Sequence, residues 1–362
     1  MKKMLKGVLA VSMVASLAGC SSKSGKYEGQ TLKLYNWGEY IGENVINEFE
    51  KRTGAKVSND FFDSNEQMYV KVSNGEKYDL LVPSDYMIQR LIEEDYLMEL
   101  DKSKITCMDD LNPEILDLEY DPGNKYSIPY FYGTVGIVYD KTQVDKKDLE
   151  TEGWDIFLDT KYKGNIYLYN SERDSFMMAL KALGYSMNTD NEQELQEAYD
   201  WLEKCVTTMD PEIVTDEIID NMAQARKAFG LMYSGDATYV IAENSDIDYY
   251  MPESGTNIWT DAMVIPKNAE NPELAYEFIN FVAEYDQAYD NSSYVGYTSP
   301  VKKVADDLSK GDFDGIDAYI PSLSNDKNEV FRYNENARKI ISNLWSKILI
   351  VTSNKSKIQE AI

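Results

Sequence analysis

Short apolar runs that turn into amphipathic helices recur along this chain, and that alternation constrains the fold more than any other feature. Tyr78–Val82 (YDLLV) is a short apolar strand of the kind buried in parallel sheets. Pro83-Ser84-Asp85 then turns into a helix with Ile88, Leu91 and Ile92 facing inward. Before it, Thr31–Tyr35 reads as a strand, and Ile41, Val45, Ile46 and Phe49 mark a helix stopped by Gly54. Ser64-Asn65-Glu66-Gln67 is a capping box for a helix through Val72. The second half repeats the pattern. Arg173–Leu183 is a helix closed by Gly184, and Asn191–Val206 and Asp216–Phe229 are further helices. Gly230–Tyr233 and Asn257–Ile265 read as strands, and Pro272–Tyr285 as a helix. This is the grammar of an open α/β sheet, and 362 residues are enough for two lobes.

Composition removes whole classes of function. The chain has no histidine, which excludes Ser-His-Asp and Cys-His catalysis and histidine-ligated metals. A carboxylate-only mechanism, such as that of an extracellular glycosidase, stays open. The formal charge of −27 excludes a nucleic-acid binder that works by neutralising phosphates. It suits a cationic ligand, and equally a soluble acidic surface. MKKMLKGVLAVSMVASLAGC has a basic start and an apolar run too short to span a bilayer, so residues 1–19 read as an export leader. Residues 20–29 then form a tether. Beyond Cys20 only Cys107 and Cys205 remain, too few for a disulfide framework, and two free thiols are expected.

In open α/β sheets ligands sit outside the carboxyl ends of strands. Four strand segments here deliver aromatics with acids or hydroxyls: Tyr35-Asn36-Trp37, Pro83-Ser84-Asp85-Tyr86, Tyr233-Ser234-Gly235-Asp236 and Trp259-Thr260-Asp261. Together they suggest one pocket. Aromatic faces attract cations and cover methylenes, and carboxylates take charge-assisted hydrogen bonds from ammonium groups. An apolar stem with ammonium ends satisfies both. Asp261 stands out, because an acid inside an apolar strand is costly unless paired.

The segments YNWGEYI, YDLLVPSDY, YSIPYFYGTVGIVYD, GLMYSGDA, IWTDAMVIPKNAENPELAYEFINF and GYTSP, in that order, resemble the spermidine/putrescine-binding proteins of bacterial ABC importers. The resemblance runs from about Leu32 to Pro300. It implies a two-lobed periplasmic-binding-protein (type II) α/β fold that closes on a polyamine and presents it to membrane permease subunits, with no cofactor, no metal and no catalysis. The implied ligand residues are Trp37, Tyr40, Ser84, Tyr86, Asp174, Tyr233, Asp236, Trp259, Asp261 and Tyr297. Ser171 stands where spermidine-type members have Asp, and Tyr233 where they have Trp. Asp236 and Glu39 match acids of putrescine-type members, so the departures tilt the implied ligand toward putrescine. Leu17-Ala18-Gly19-Cys20 resembles the bacterial lipoprotein signal, which implies lipidation of Cys20 and anchoring of a monomer to the outer face of the cytoplasmic membrane.

Plainer roles stand beside these. Asp236 and Asp174 would each suit the positive end of a helix. Glu39 would serve as a solvated acid, and Tyr40 and Tyr86 as packing between lobes. Another solute on the same fold, a sugar or ferric ion, is the alternative ligand; the pair Tyr249-Tyr250 is the feature that hints at iron. Gly133–Tyr139 and Trp259–Pro266 read as the two crossings between lobes. The first lobe would hold residues 30–138 and 261–305, the second 139–260 and 306–362.

Overall fold

The computed structural model describes residues 25–360, so the leader, Cys20 and the start of the tether lie outside the described residues. In chain order, β1 (Thr31–Trp37), α1 (Glu43–Thr53), β2 (Lys56–Phe62), α2 (Asn65–Ser73), β3 (Leu80–Leu81) and α3 (Asp85–Glu93) precede the long strand β4 (Ser127–Asp140). Next come α4 (Lys146–Glu152), β5 (Ile166–Tyr169), α5 (Glu172–Ala182), α6 (Glu192–Thr208), β6 (Glu212–Val214) and α7 (Glu217–Ala223). They are followed by β7 (Phe229–Tyr233), α8 (Ser234–Glu243), β8 (Ile247–Tyr250) and β9 (Ile258–Val264). The last elements are α9 (Pro272–Val282), α10 (Tyr285–Val295), α11 (Lys302–Leu308) and α12 (Glu335–Glu360).

The strands pair in the order β2-β1-β3-β9-β4-β7-β5-β6, with β8 also on β4. Parallel pairs flank the two ends, while β9 and β4 run antiparallel in the middle. Every residue of β4 is buried, and the strand serves three ladders, with β7, β8 and β9. Ser127 to Thr134 pair with β9, and Val135 to Tyr139 pair with β7. The register slips between Pro129 and Phe131, where proline has no N–H to give the ladder.

Local chemistry explains most element ends. Gly54 takes a left-handed conformation (φ 77°) and its N–H closes α1 on the Glu50 carbonyl. Ser64 caps α2 by accepting from the Gln67 N–H, while Gln67 reaches back to the Asp63 N–H. Asn191 caps α6 in the same way. Asp79 delays the start of β3: its buried carboxylate accepts from the Lys33, Glu270 and Asn271 N–H groups and pins the start of α9.

Four expectations need correction. The strand at Tyr78–Val82 shrinks to Leu80–Leu81. Its predecessor extends past Tyr35 to Trp37. The helix expected over Asp216–Phe229 ends at Ala223, because Ala225 turns left-handed (φ 50°). There the Arg226 N–H bonds the Asn221 carbonyl and the Ala225 N–H bonds that of Met222, a Schellman closure made without glycine. The helix from Pro272 stops at Val282 rather than Tyr285, which instead opens α10. Strand β2 was not anticipated; its exposed Lys56, Ser58 and Asp60 suit a sheet edge and hide its pattern. Trp154, Trp201 and Trp345 are buried, and Cys107 and Cys205 are buried free thiols.

Candidate functional site

The turn after β1 sends alternate residues to opposite fates. Trp37, the last residue of the strand, packs on Phe62 with centroids 4.5 Å apart and donates its indole N–H to the Val82 carbonyl. Glu39, not Gly38, carries the positive φ (51°) and is exposed. Tyr40 turns back inside, 7% exposed, and donates to Asp261 Oδ2 at 2.9 Å. The bend therefore buries Tyr40 and leaves Glu39 at the surface.

Asp261 lies in the middle of β9, opposite Phe131 of β4, rather than at a strand end. Ser84, at the start of α3, meets it through an isolated antiparallel bridge. Two further carboxylates are held in the same manner. Tyr297 donates to Asp236 Oδ1 at 2.9 Å, and Tyr233 to Asp174 Oδ2 at 2.7 Å. Ser171 caps α5 through the Asp174 N–H and donates to the same Asp174 Oδ2. Three acids thus each rest on one tyrosine hydroxyl. Burial and the adjacent carboxylates hold those three hydroxyls well above the usual phenol range, so they stay donors.

The rings form a continuous edge-to-face series. Tyr40 meets Tyr297 at 5.4 Å, Tyr297 meets Trp259 at 5.3 Å, Trp259 meets Tyr233 at 6.1 Å, and Tyr233 meets Tyr169 at 5.6 Å. The backbone leaves no slack behind them. A Cβ on Gly235 would stand 2.3 Å from the Tyr297 ring, and one on Gly133 would stand 2.5 Å from Ser234 Oγ and 2.6 Å from the Trp259 ring. We expect Gly235→Ala to lower stability by about 1–3 kcal/mol through overpacking. Denaturant unfolding checks this; an unchanged midpoint would mean that Tyr297 is free to move.

Electrostatics single out two of the acids. Burial pushes Asp261 up to about 6, against the pull of the nearby Ser84 and Tyr40 hydroxyls. Its Oδ1 is buried without a hydrogen-bond partner. Asp236, at the first turn of α8, is pushed up to about 7 by desolvation, against the Tyr297 hydroxyl. Among the described residues no lysine or arginine offsets either charge. Trp259 Nε1 is likewise buried and unpartnered. The two carboxylates favour a ligand that supplies positive charge and N–H donors, whereas the Trp259 N–H, itself a donor, asks for an acceptor.

Sequence reasoning missed several members. Tyr169 ends β5, donates to Asp216, and could have been found by the same strand-end rule. Asp85 is buried, is pushed up to about 8 by desolvation, and accepts from the Tyr86 and Thr260 N–H groups. Arg173 changes the reading of Tyr86. Its guanidinium lies 3.6 Å from the Tyr86 ring centroid and donates to Glu66 Oε1 at 2.9 Å. One face of Tyr86 therefore already carries a cation. The Tyr86 hydroxyl and Ser84 Oγ both accept from Asn65 Nδ2. No group of three or more acids or cysteines placed to hold a metal occurs among the described residues.

Comparison with known proteins agrees with this geometry. The family described as bacterial extracellular solute-binding protein matches residues 44–313. The spermidine/putrescine-binding periplasmic protein of Escherichia coli K12 is 34% identical over 296 residues, which are 81% of this chain and 82% of that protein. A putrescine/cadaverine-binding protein of Pseudomonas aeruginosa is 27% identical over 364 residues, 96% of this chain and 99% of that one. Among solved structures, a spermidine/putrescine ABC transporter substrate-binding protein from Streptococcus pneumoniae superposes with a TM-score of 0.78 at 37% identity, covering 89% of this chain and 99% of that one.

Proposed function

The chain belongs to the bacterial extracellular solute-binding proteins, and we propose that within this family its cleft captures a polyamine for an ABC importer. The protein is exported, and its α/β fold is the two-lobed periplasmic-binding-protein type. The observation that carries the ligand reading is the pair of buried carboxylates, Asp236 and Asp261, set among aromatic rings with no cation among the described residues beside them. Two uncompensated acids suit the two ammonium groups of a diamine. Asp174, the third acid, already feels the Arg173 charge. This favours putrescine over spermidine.

Each ring-and-acid pair would contribute from a different part of the fold. Trp37, Tyr40, Ser84, Tyr86 and Asp261 come from the first lobe or its seam, and Asp174, Tyr233 and Asp236 from the second. Trp259 lies on the crossing strand β9, and Tyr297 follows α10. Closure about β4 and β9 would bring both sets onto one ligand, and binding favours the closed form by the difference in affinity for the two states. Arg173 of α5 on Glu66 of α2 would then latch the lobes. Cys20 is the proposed lipid anchor, the permease the proposed recipient, and the working form a monomer.

Thermal denaturation under excess putrescine, spermidine, spermine, maltose or Fe³⁺ tests the reading. Putrescine should give the largest rise in midpoint, because only ligands of the native state stabilise it. Stabilisation by maltose or iron and by none of the amines would overturn it.

A further inference from the structure

The whole chain contains six arginines, and four of them, Arg90, Arg173, Arg332 and Arg338, line one cavity. In a chain of net charge −27 such a concentration runs against composition. The cavity encloses about 660 Å³, including its open mouth, and lies behind Tyr86 and Phe331. Arg90 comes from α3, Arg173 from α5, Arg332 from the segment before α12, and Arg338 from the start of α12. We propose that this cavity is a second binding site, for a small organic anion whose carboxylate or phosphate group is held by Arg338 and Arg332.

The four arginines are not equally engaged. Arg90 pairs with Glu94 at 2.8 Å and lies on the Tyr69 ring, and Arg173 is held by Glu66. Arg332 pairs with Glu119, but both side chains are largely exposed, so that pair is weak and exchangeable. Among the described residues Arg338 makes no ion pair, and its Nε is buried without a hydrogen-bond partner. An unmet buried donor on a charged group is costly, and an oxyanion removes that cost. Guanidinium is the group suited to this, since its planar fork matches carboxylate and phosphate oxygens in pairs.

Opposing charge is limited. Glu66 and Glu172 also line the cavity. Glu66 is engaged by Arg173, and burial pushes the Glu172 carboxyl upward against the pull of the Arg173 and Arg338 charges. Phe176 and Ile341 complete an apolar wall that would cover a short hydrocarbon stem. The cavity shares Tyr86 and Arg173 with the wall of the proposed amine cleft, but neither Arg338 nor Arg332 acts on Asp236 or Asp261.

Calorimetric titration of the protein without amine, using succinate and inorganic phosphate against chloride at matched ionic strength, tests the proposal. At least one oxyanion should bind saturably, and the stronger of the two identifies the headgroup. Arg338→Gln should weaken that binding on the order of 10-fold or more, while its thermal response to putrescine stays that of the unmodified protein. If Arg338→Gln fails to fold, Arg332→Gln, at an exposed position, decides in its place by the same loss. Heats no larger than chloride gives, or equal affinity in the variant that folds, would overturn the site. A putrescine response absent from the unmodified protein, with intact oxyanion binding, would instead count against the amine reading alone.

Discussion

Titration of the Asp261→Asn protein with putrescine is expected to show binding weaker by about 2 kcal/mol or more, roughly 30-fold. Asparagine keeps the shape of the side chain and an oxygen that can still accept the Tyr40 hydroxyl. What it removes is the charge at Oδ1, the atom buried without a partner. The loss should therefore fall on the ammonium contact, while the ligand-free variant, relieved of a buried charge, should be at least as stable as the unmodified protein at neutral pH. Low-micromolar affinity, about −8 kcal/mol, is ordinary for a design of this kind, so the variant would bind at tens of micromolar or weaker. Unchanged affinity would show that the amine lies elsewhere.

The second large effect is on pH. In the free cleft Asp236 is held at about 7 and Asp261 at about 6. A diamine binds the ionised forms, so protons compete with it as pH falls through these values. Between about pH 8 and about pH 5.5, putrescine affinity should fall on the order of 100-fold, most of it from Asp236. The ligand-free protein should move the other way. Both folded-state values lie above the ordinary carboxylate value of about 3.9, so the native state binds more protons than the unfolded one between them. The contribution of these groups to stability is present at low pH and is lost as pH rises through 6 to 7. Melting curves with and without putrescine across this range would show the two trends converging as pH drops. Affinity that stayed flat across the range would rule out both acids as partners of the amine.

Most of the box was legible because its members sit where a pattern breaks. Asp261 interrupts an apolar strand, Asp236 follows a strand end, and Tyr40 follows a turn that carries too many rings. Their roles in the geometry depend on pairs distant in sequence, such as Tyr40 with Asp261 and Tyr297 with Asp236. The family resemblance put these residues in one site but gave neither pair, and periodicity gave none. Arg173 was missed for a related reason. Within SERDSF it looks like an ordinary first-turn residue of a helix, and only the fold brings Glu66 and Tyr86 to it. Strand β2 and the end of α7 were hidden differently. One alternates charged and polar residues at a sheet edge, and the other stops on an alanine in a conformation usually left to glycine.

Strand β4 carries a further consequence, for the order in which the chain can fold. It serves three ladders, and β7, β8 and β9, its partners, all come later in the chain. The early strands β2, β1 and β3 pair with one another, but β3 joins the rest of the sheet only through β9, where Leu81 pairs with Val264. The centre of the sheet therefore waits for the second half of the chain, and such long-range pairing makes folding intrinsically slow. For an exported protein, slow pairing of this kind would leave the newly made chain open to threading for longer, and β4 would couple the two halves of the sheet as they close.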